Sequence, residues 1–195
     1  MTADRTNDPH AVIRNLPTGV LGLDAVLGGG MPEYSFNLIA GAPGAGKTTL
    51  AQQIVFANAT TERPALYFTV LGEPTLKMLR YQRQFRFFNP ELIESAVRFV
   101  NLSDEAVRGD LRRALERIVR EVEKVEPQMV VVDSFRTLGQ RYHASASDPD
   151  ADAEMGLEYF VQRLALHLTT WEITSFLVAA FDESVGVNKE TVADS

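Results

Sequence analysis

The chain has 195 residues, 45% of them hydrophobic and 23% charged, enough for one globular domain with a real core. It contains no cysteine, which excludes disulfides, thiolate zinc sites and cysteine nucleophiles and fits a reducing cytoplasm. The net charge of −7 argues against a surface built to grip nucleic-acid backbone, and no apolar run has the length of about 18 residues that a membrane span needs.

Residues 1–14 are polar and aperiodic, and an unstructured tail is expected there, with one domain over residues 15–195. Residues 15–33 read NLPTGVLGLDAVLGGGMPE, which suggests a turn, a short helix over residues 22–27 and a glycine-rich bend. Residues 35–40 (SFNLIA) form a short apolar run between turn signals and read as a buried strand. A glycine loop follows, and a helix is expected from Lys47 to residue 59. A second strand over residues 65–70 runs out at Gly72-Glu73-Pro74, and a helix is expected from Pro74 to residue 87, since proline suits a first helical turn.

Residues 96–101 give a third strand. The spacing of Leu111, Leu115, Ile118, Val122 and Val125 predicts one buried stripe on a single helix opened by Ser103-Asp104-Glu105 and stopped by Pro127. Residues 129–132 are a wholly apolar strand that ends on Asp133. Residues 142–152 are small and acidic and suggest a loop; a helix over residues 153–171 and a strand over residues 174–179 complete the pattern. Strands alternating with helices imply an α/β, three-layer fold with a mainly parallel central sheet. Ligands of such sheets sit beyond the carboxyl ends of the strands, where the glycine loop, Glu73 and Asp133 all fall.

The strongest chemical signal is Gly41-Ala42-Pro43-Gly44-Ala45-Gly46-Lys47-Thr48, a match to G-x-x-x-x-G-K-[ST]. At average residue usage the pattern arises by chance in under about one chain in a hundred of this length. Phosphate oxygens need closely packed donors, and backbone N–H groups supply them only where the chain bends tightly without side chains in the way. The loop then opens a helix, whose N-terminal amides and dipole favour an anion. Residues 41–49 of this segment, Thr49 included, are the candidate ATP contacts. Lys47 would touch the β- and γ-phosphates, and the Thr48 hydroxyl would ligate Mg2+.

Asp133 closes an apolar strand expected beside the P-loop strand, where an acid holds magnesium through water. A turn-forming aspartate is the plainer alternative. Glu73 is placed to orient the water that attacks the γ-phosphate, or equally to favour the first turn of the following helix through its dipole. Lys77, Arg80 and Arg83, and Arg113, Arg117, Arg120 and Lys124, read as solvated helix faces. Trp171, Phe87 and Phe88 read as packing. His10, His143 and His167 are scattered, without metal-ligand spacing.

The run TGVLGLDAVLGGGMPEYSFNLIAGAPGAGKTTL resembles the start of a KaiC-like domain of the RecA superfamily, and the likeness continues through ALYFTVLGEP, MVVVDSFRTL and TSFLVAAF, over roughly residues 15–182. The glycine-rich lead before the P-loop is the specific part. The resemblance implies a RecA-like core, ATP with Mg2+, and assembly into rings, hexamers included, with nucleotide at subunit interfaces if the full domain is present. It also favours Glu73 as the water-orienting group. Relatives carry two adjacent acids there, whereas this chain has Gly72-Glu73. In the family a Lys-x-Arg element on further strands reaches the neighbour's γ-phosphate; here only Lys189 is basic after the last strand, so the C-terminal strands of the full domain are expected to be missing.

Three functions follow as alternatives. The first is an ATPase, slow in turnover, that passes its nucleotide state to a protein partner. The second is a nucleotide-gated binding module without hydrolysis, which Gly72 favours. The third is a DNA-dependent recombinase, disfavoured because Asp148, Asp150, Asp152 and Glu154 outnumber Arg141 and His143 after the Asp133 strand. Autophosphorylation occurs in some relatives, but no serine or threonine here is marked as an acceptor. A membrane role has no support.

Overall fold

The computed structural model describes residues 14–70, 80–108, 110–134 and 156–180. Five strands form one sheet in which every pairing is parallel: β3 (Phe36–Gly41), β4 (Ala65–Thr69), β5 (Val97–Asn101), β6 (Met129–Asp133) and β7 (Thr174–Ala180), in the order β3-β7-β6-β4-β5. β4 and β6 are buried along their whole length and β7 up to its last residue, as expected of apolar strands covered on both faces.

Alternation along the strands sorts the core into two layers. Tyr67, Val131, Phe176 and Val178 point to the face covered by α2 (Lys47–Asn58), where they meet Ala51, Ile54 and Val55. Leu66, Phe68, Val130, Val132 and Leu177 point the other way, toward α4 (Leu111–Val125) and α5 (Leu157–Thr170), and pack with Leu115, Ile118, Phe160 and Leu164. Each large side chain buried this way contributes about 1.5–3 kcal/mol of transfer free energy. The expected α/β three-layer fold is thus present.

Local details differ from the sequence reading. The single helix expected from Ser103 is two: α3 (Ser103–Arg108) and α4, because Asp110 starts a new helix by accepting a hydrogen bond from the Arg113 amide at 2.9 Å. The stripe of Leu111, Leu115, Ile118 and Val122 is buried as expected. Arg117 is not a free solvated cation, since it reaches back to Glu105 at 2.7 Å and ties α4 to α3. The helix expected to continue to residue 87 has ended by Gln82; residues 83–87 are turns, with the Phe85 amide bonded to the Gln82 carbonyl. Phe87 and Phe88 pack on Phe56, with ring centroids 6.2 and 5.2 Å away.

The lead is folded against the P-loop helix. Its two ends pair as an antiparallel ladder, β1 (Asn15–Leu16) with β2 (Met31–Pro32), around α1 (Leu23–Val26). Gln53 and Asn58 of α2 donate to the carbonyls of Gly19 and Pro17 at 2.5 and 2.8 Å, so the lead braces α2 from outside the sheet. Gly30 has φ +121°, and a Cβ there would lie 2.3 Å from the Leu16 carbonyl oxygen. Gly30→Ala is therefore expected to cost about 2–4 kcal/mol, read as a lower urea midpoint with an unchanged slope.

Within the lead, the Thr18 amide and hydroxyl both donate to Asp24 Oδ1, at 2.8 and 2.6 Å. These hydrogen bonds hold the Asp24 carboxyl below its ordinary pKa. A lowered pKa means stability that is present above the unfolded value and lost as pH falls through the folded one. Asp24→Ala should consequently be less stable than the parent at neutral pH, and the gap should close on acidification; a gap independent of pH would show that the charge plays no part.

Candidate phosphate and metal site

The P-loop runs from the end of β3 into α2. Gly46 is the residue before the helix, with φ +82°, and Gly44 has φ +79°. These left-handed conformations suit glycine and turn successive amides toward a common point. A Cβ added at either position would meet nothing within 4 Å, so the concavity is open. No side chain caps the start of α2 and no acid lies in its first turn, which leaves its amides for an external anion. The donor set therefore fits a polyphosphate. Lys47 follows immediately, and its Nζ donates to the Ala42 carbonyl at 2.7 Å, folded over its own loop.

Asp133 stands at the carboxyl end of β6, on the α2 face of the sheet and only 5% exposed. The Thr48 hydroxyl donates to its carboxylate, and the Lys47 charge acts on it as well. The sequence reading put the Asp133 strand beside the P-loop strand; instead β7 lies between them, paired with β3 on one side and β6 on the other. The contact survives because α2 crosses back over β7 and β6 and carries Thr48 to Asp133. A hydroxyl and a carboxylate in contact beside a phosphate cradle are a donor set suited to a hard cation, with Thr48 and Asp133 the residues that could hold Mg2+. Among the described residues no group of three or more His, Cys, Asp or Glu forms a metal cluster.

Burial pushes the Asp133 carboxyl above its ordinary pKa, opposed by hydrogen bonds from Thr48 and Tyr67 and by the charge of Lys47. Tyr67 was not singled out from the sequence. It is fully buried on β4, opposite Val131, and its hydroxyl donates to Asp133 Oδ2 at 2.8 Å. Burial first, then the charge and hydrogen bond of Asp133, hold the phenol well above its usual pKa, against a hydrogen bond from the Gln52 side chain. Gln52 lies one helical turn after Thr48, on the same face of α2. The available signal was a tyrosine inside an apolar strand, since a buried phenol needs a partner for its O–H.

Glu73 and Gly72 lie outside the described residues, as do the loop at 142–152 and Lys189. The chain leaves β4 at Val70, whose amide donates to the Asp133 carbonyl at 2.9 Å.

The family model for the ATPase KaiC matches residues 16–194. The chain belongs to the KaiC ATPase family. Within the RecA superfamily it is similar to the DNA repair protein RadA of Mycobacterium tuberculosis, 35% identical over 67% of this chain and 24% of that one. It is 29% identical to the circadian clock oscillator protein KaiC of Prochlorococcus marinus, over 69% of this chain and 28% of the relative. A UPF0273 protein of Thermotoga maritima is 26% identical over 65% of this chain and 58% of its own. The chain thus spans about a quarter of the RadA and KaiC relatives. A KaiC-like protein of Pyrococcus horikoshii shares the fold, with a TM-score of 0.68 over 88% of this chain and 72% of that one at 21% identity. The KaiC-like P-loop ATPase fold expected from the lead and the glycine loop is therefore present.

Proposed function

We propose that this KaiC-family domain binds ATP with Mg2+ and hydrolyses it slowly to ADP and phosphate, acting as a switch whose nucleotide state is read by a protein partner. The observation that carries this reading is the contact between Thr48 at the open start of α2 and Asp133 at the end of β6. The amides of residues 44–48 would hold the phosphates, helped by Thr49 and by Lys47 once its Nζ leaves the Ala42 carbonyl. Magnesium, when bound, neutralises charge across the β- and γ-phosphates. Thr48 and Asp133 are the residues that would hold it.

Glu73 would orient the attacking water. Slow turnover is proposed because Gly72 replaces one of the two acids that family members carry at this point. The same substitution supports the second reading, a gate that binds without hydrolysing. Membership of the KaiC family supports a homo-oligomeric ring as the setting, while the acidic net charge weighs against adopting the DNA role in the RadA relatives' name.

Phosphate release from ATP, measured with and without magnesium beside nucleotide binding on the same sample, tests the proposal. Magnesium-dependent release supports the ATPase. Tight binding with no release would leave the gate, and no binding would reject both.

A further inference from the structure

We propose that Tyr67 is a positioning residue for the magnesium site, holding the Asp133 carboxylate in place through its hydroxyl. The inference rests on the reading of Thr48 and Asp133 as the metal-holding pair, and the geometry extends it by one shell. Asp133 is buried, so its orientation is set by whatever donates to it. Among the described residues, the Thr48 hydroxyl and the Tyr67 hydroxyl do so, the latter at 2.8 Å on Oδ2. If Thr48 turns its oxygen to a metal ion, Tyr67 remains as the donor that fixes the carboxylate.

Tyr67 is well built for that task. Parallel pairing sets it opposite Val131, two residues before Asp133 on the same face, so the ring runs along the sheet and brings its hydroxyl to the carboxylate. Phe99 on β5 packs against the ring from the far side, with centroids 5.2 Å apart. The Gln52 side chain, fully buried, bonds the same phenol oxygen. The phenol is thereby held by ring packing on one side and by an α2 amide on the other, and α2 itself carries Thr48. The four side chains Thr48, Asp133, Tyr67 and Gln52 close a loop between the P-loop helix and the middle of the sheet. Groups that orient a metal ligand in this way typically change metal affinity by about 10–100-fold when removed.

The test uses Mn2+ as the probe, followed by electron paramagnetic resonance in the presence of ATP, with ATP binding also measured in EDTA. Tyr67→Phe keeps the ring and removes only the hydroxyl. Its Mn2+ affinity in the presence of ATP should fall about 10-fold, while metal-free ATP affinity stays within about two-fold of the parent. Gln52→Met, which removes the amide behind the phenol, should give a smaller loss in the same direction. Phe99→Leu loosens the ring packing yet keeps the hydroxyl, and should retain most of the Mn2+ affinity.

Unchanged Mn2+ affinity in both Tyr67→Phe and Gln52→Met would overturn the proposal. Equal losses with and without metal would overturn it too, because they would mark a collapsed loop rather than a misplaced carboxylate. A parent protein that fails to bind ATP at all would instead reject the P-loop reading, and this inference with it.

Discussion

Lys47→Ala should leave a folded protein that no longer holds ATP. The lysine lies at the start of α2 and its amine donates to the Ala42 carbonyl of its own loop, so the core loses nothing and stability should change by no more than about 0.5 kcal/mol. Binding should suffer far more. A charged amine on phosphate oxygens makes charge-assisted hydrogen bonds worth about 1.5–3 kcal/mol each. Losing two of them weakens ATP by at least about 100-fold. Calorimetric titration would measure the loss directly, and thermal unfolding gives a second check. ATP at a hundred times its dissociation constant stabilises the parent by about 2.7 kcal/mol, a shift the variant should not show. Affinity within about three-fold of the parent would mean that the phosphates lie elsewhere.

Glu73→Gln should separate binding from chemistry. Glutamine keeps the shape of the side chain but loses the charge that draws a proton from water, an effect worth about 10²–10⁴ in rate where such a base operates. ATP affinity should remain near that of the parent while phosphate release drops by at least about 100-fold. The strand that leads to this residue ends in register with Asp133, which pairs with Thr69. Unchanged release would assign the water to another group. It would also return Glu73 to the other role its position allows, an acid favouring the first turn of the next helix.

The parts of the fold visible in the sequence are those fixed by local pattern. All five strands of the sheet lie within a residue or two of their expected bounds, because apolar runs of this length between turn residues have few other uses. The P-loop was legible for the same reason: Gly44 and Gly46 answer a local backbone need, with φ of +79° and +82°. Strand order was less so. The insertion of β7 between β3 and β6 is a long-range choice that no window of sequence records, and the adjacency expected for Asp133 failed on it. The break between α3 and α4 was missed because Asp110 continues a charged helical surface as readily as it caps a new helix. Tyr67 was missed because its role depends on a partner 66 residues away.

The position of β7 has a consequence for how the protein is made. The P-loop strand finds its sheet partner among the described residues only in β7, and Asn37 bonds to the Ser175 carbonyl, 138 residues further along the chain. β4, β5 and β6 can pair with one another while the ribosome is still at work, but β3 must wait for β7. The glycine loop is synthesised before β4, β5 and β6, yet its strand is paired only after them. A chain interrupted before residue 174 would carry every P-loop residue and Asp133, with α2 alone holding the two together and β3 without its parallel partner β7. ATP should therefore stabilise chains in which β7 has docked more than chains cut before residue 174.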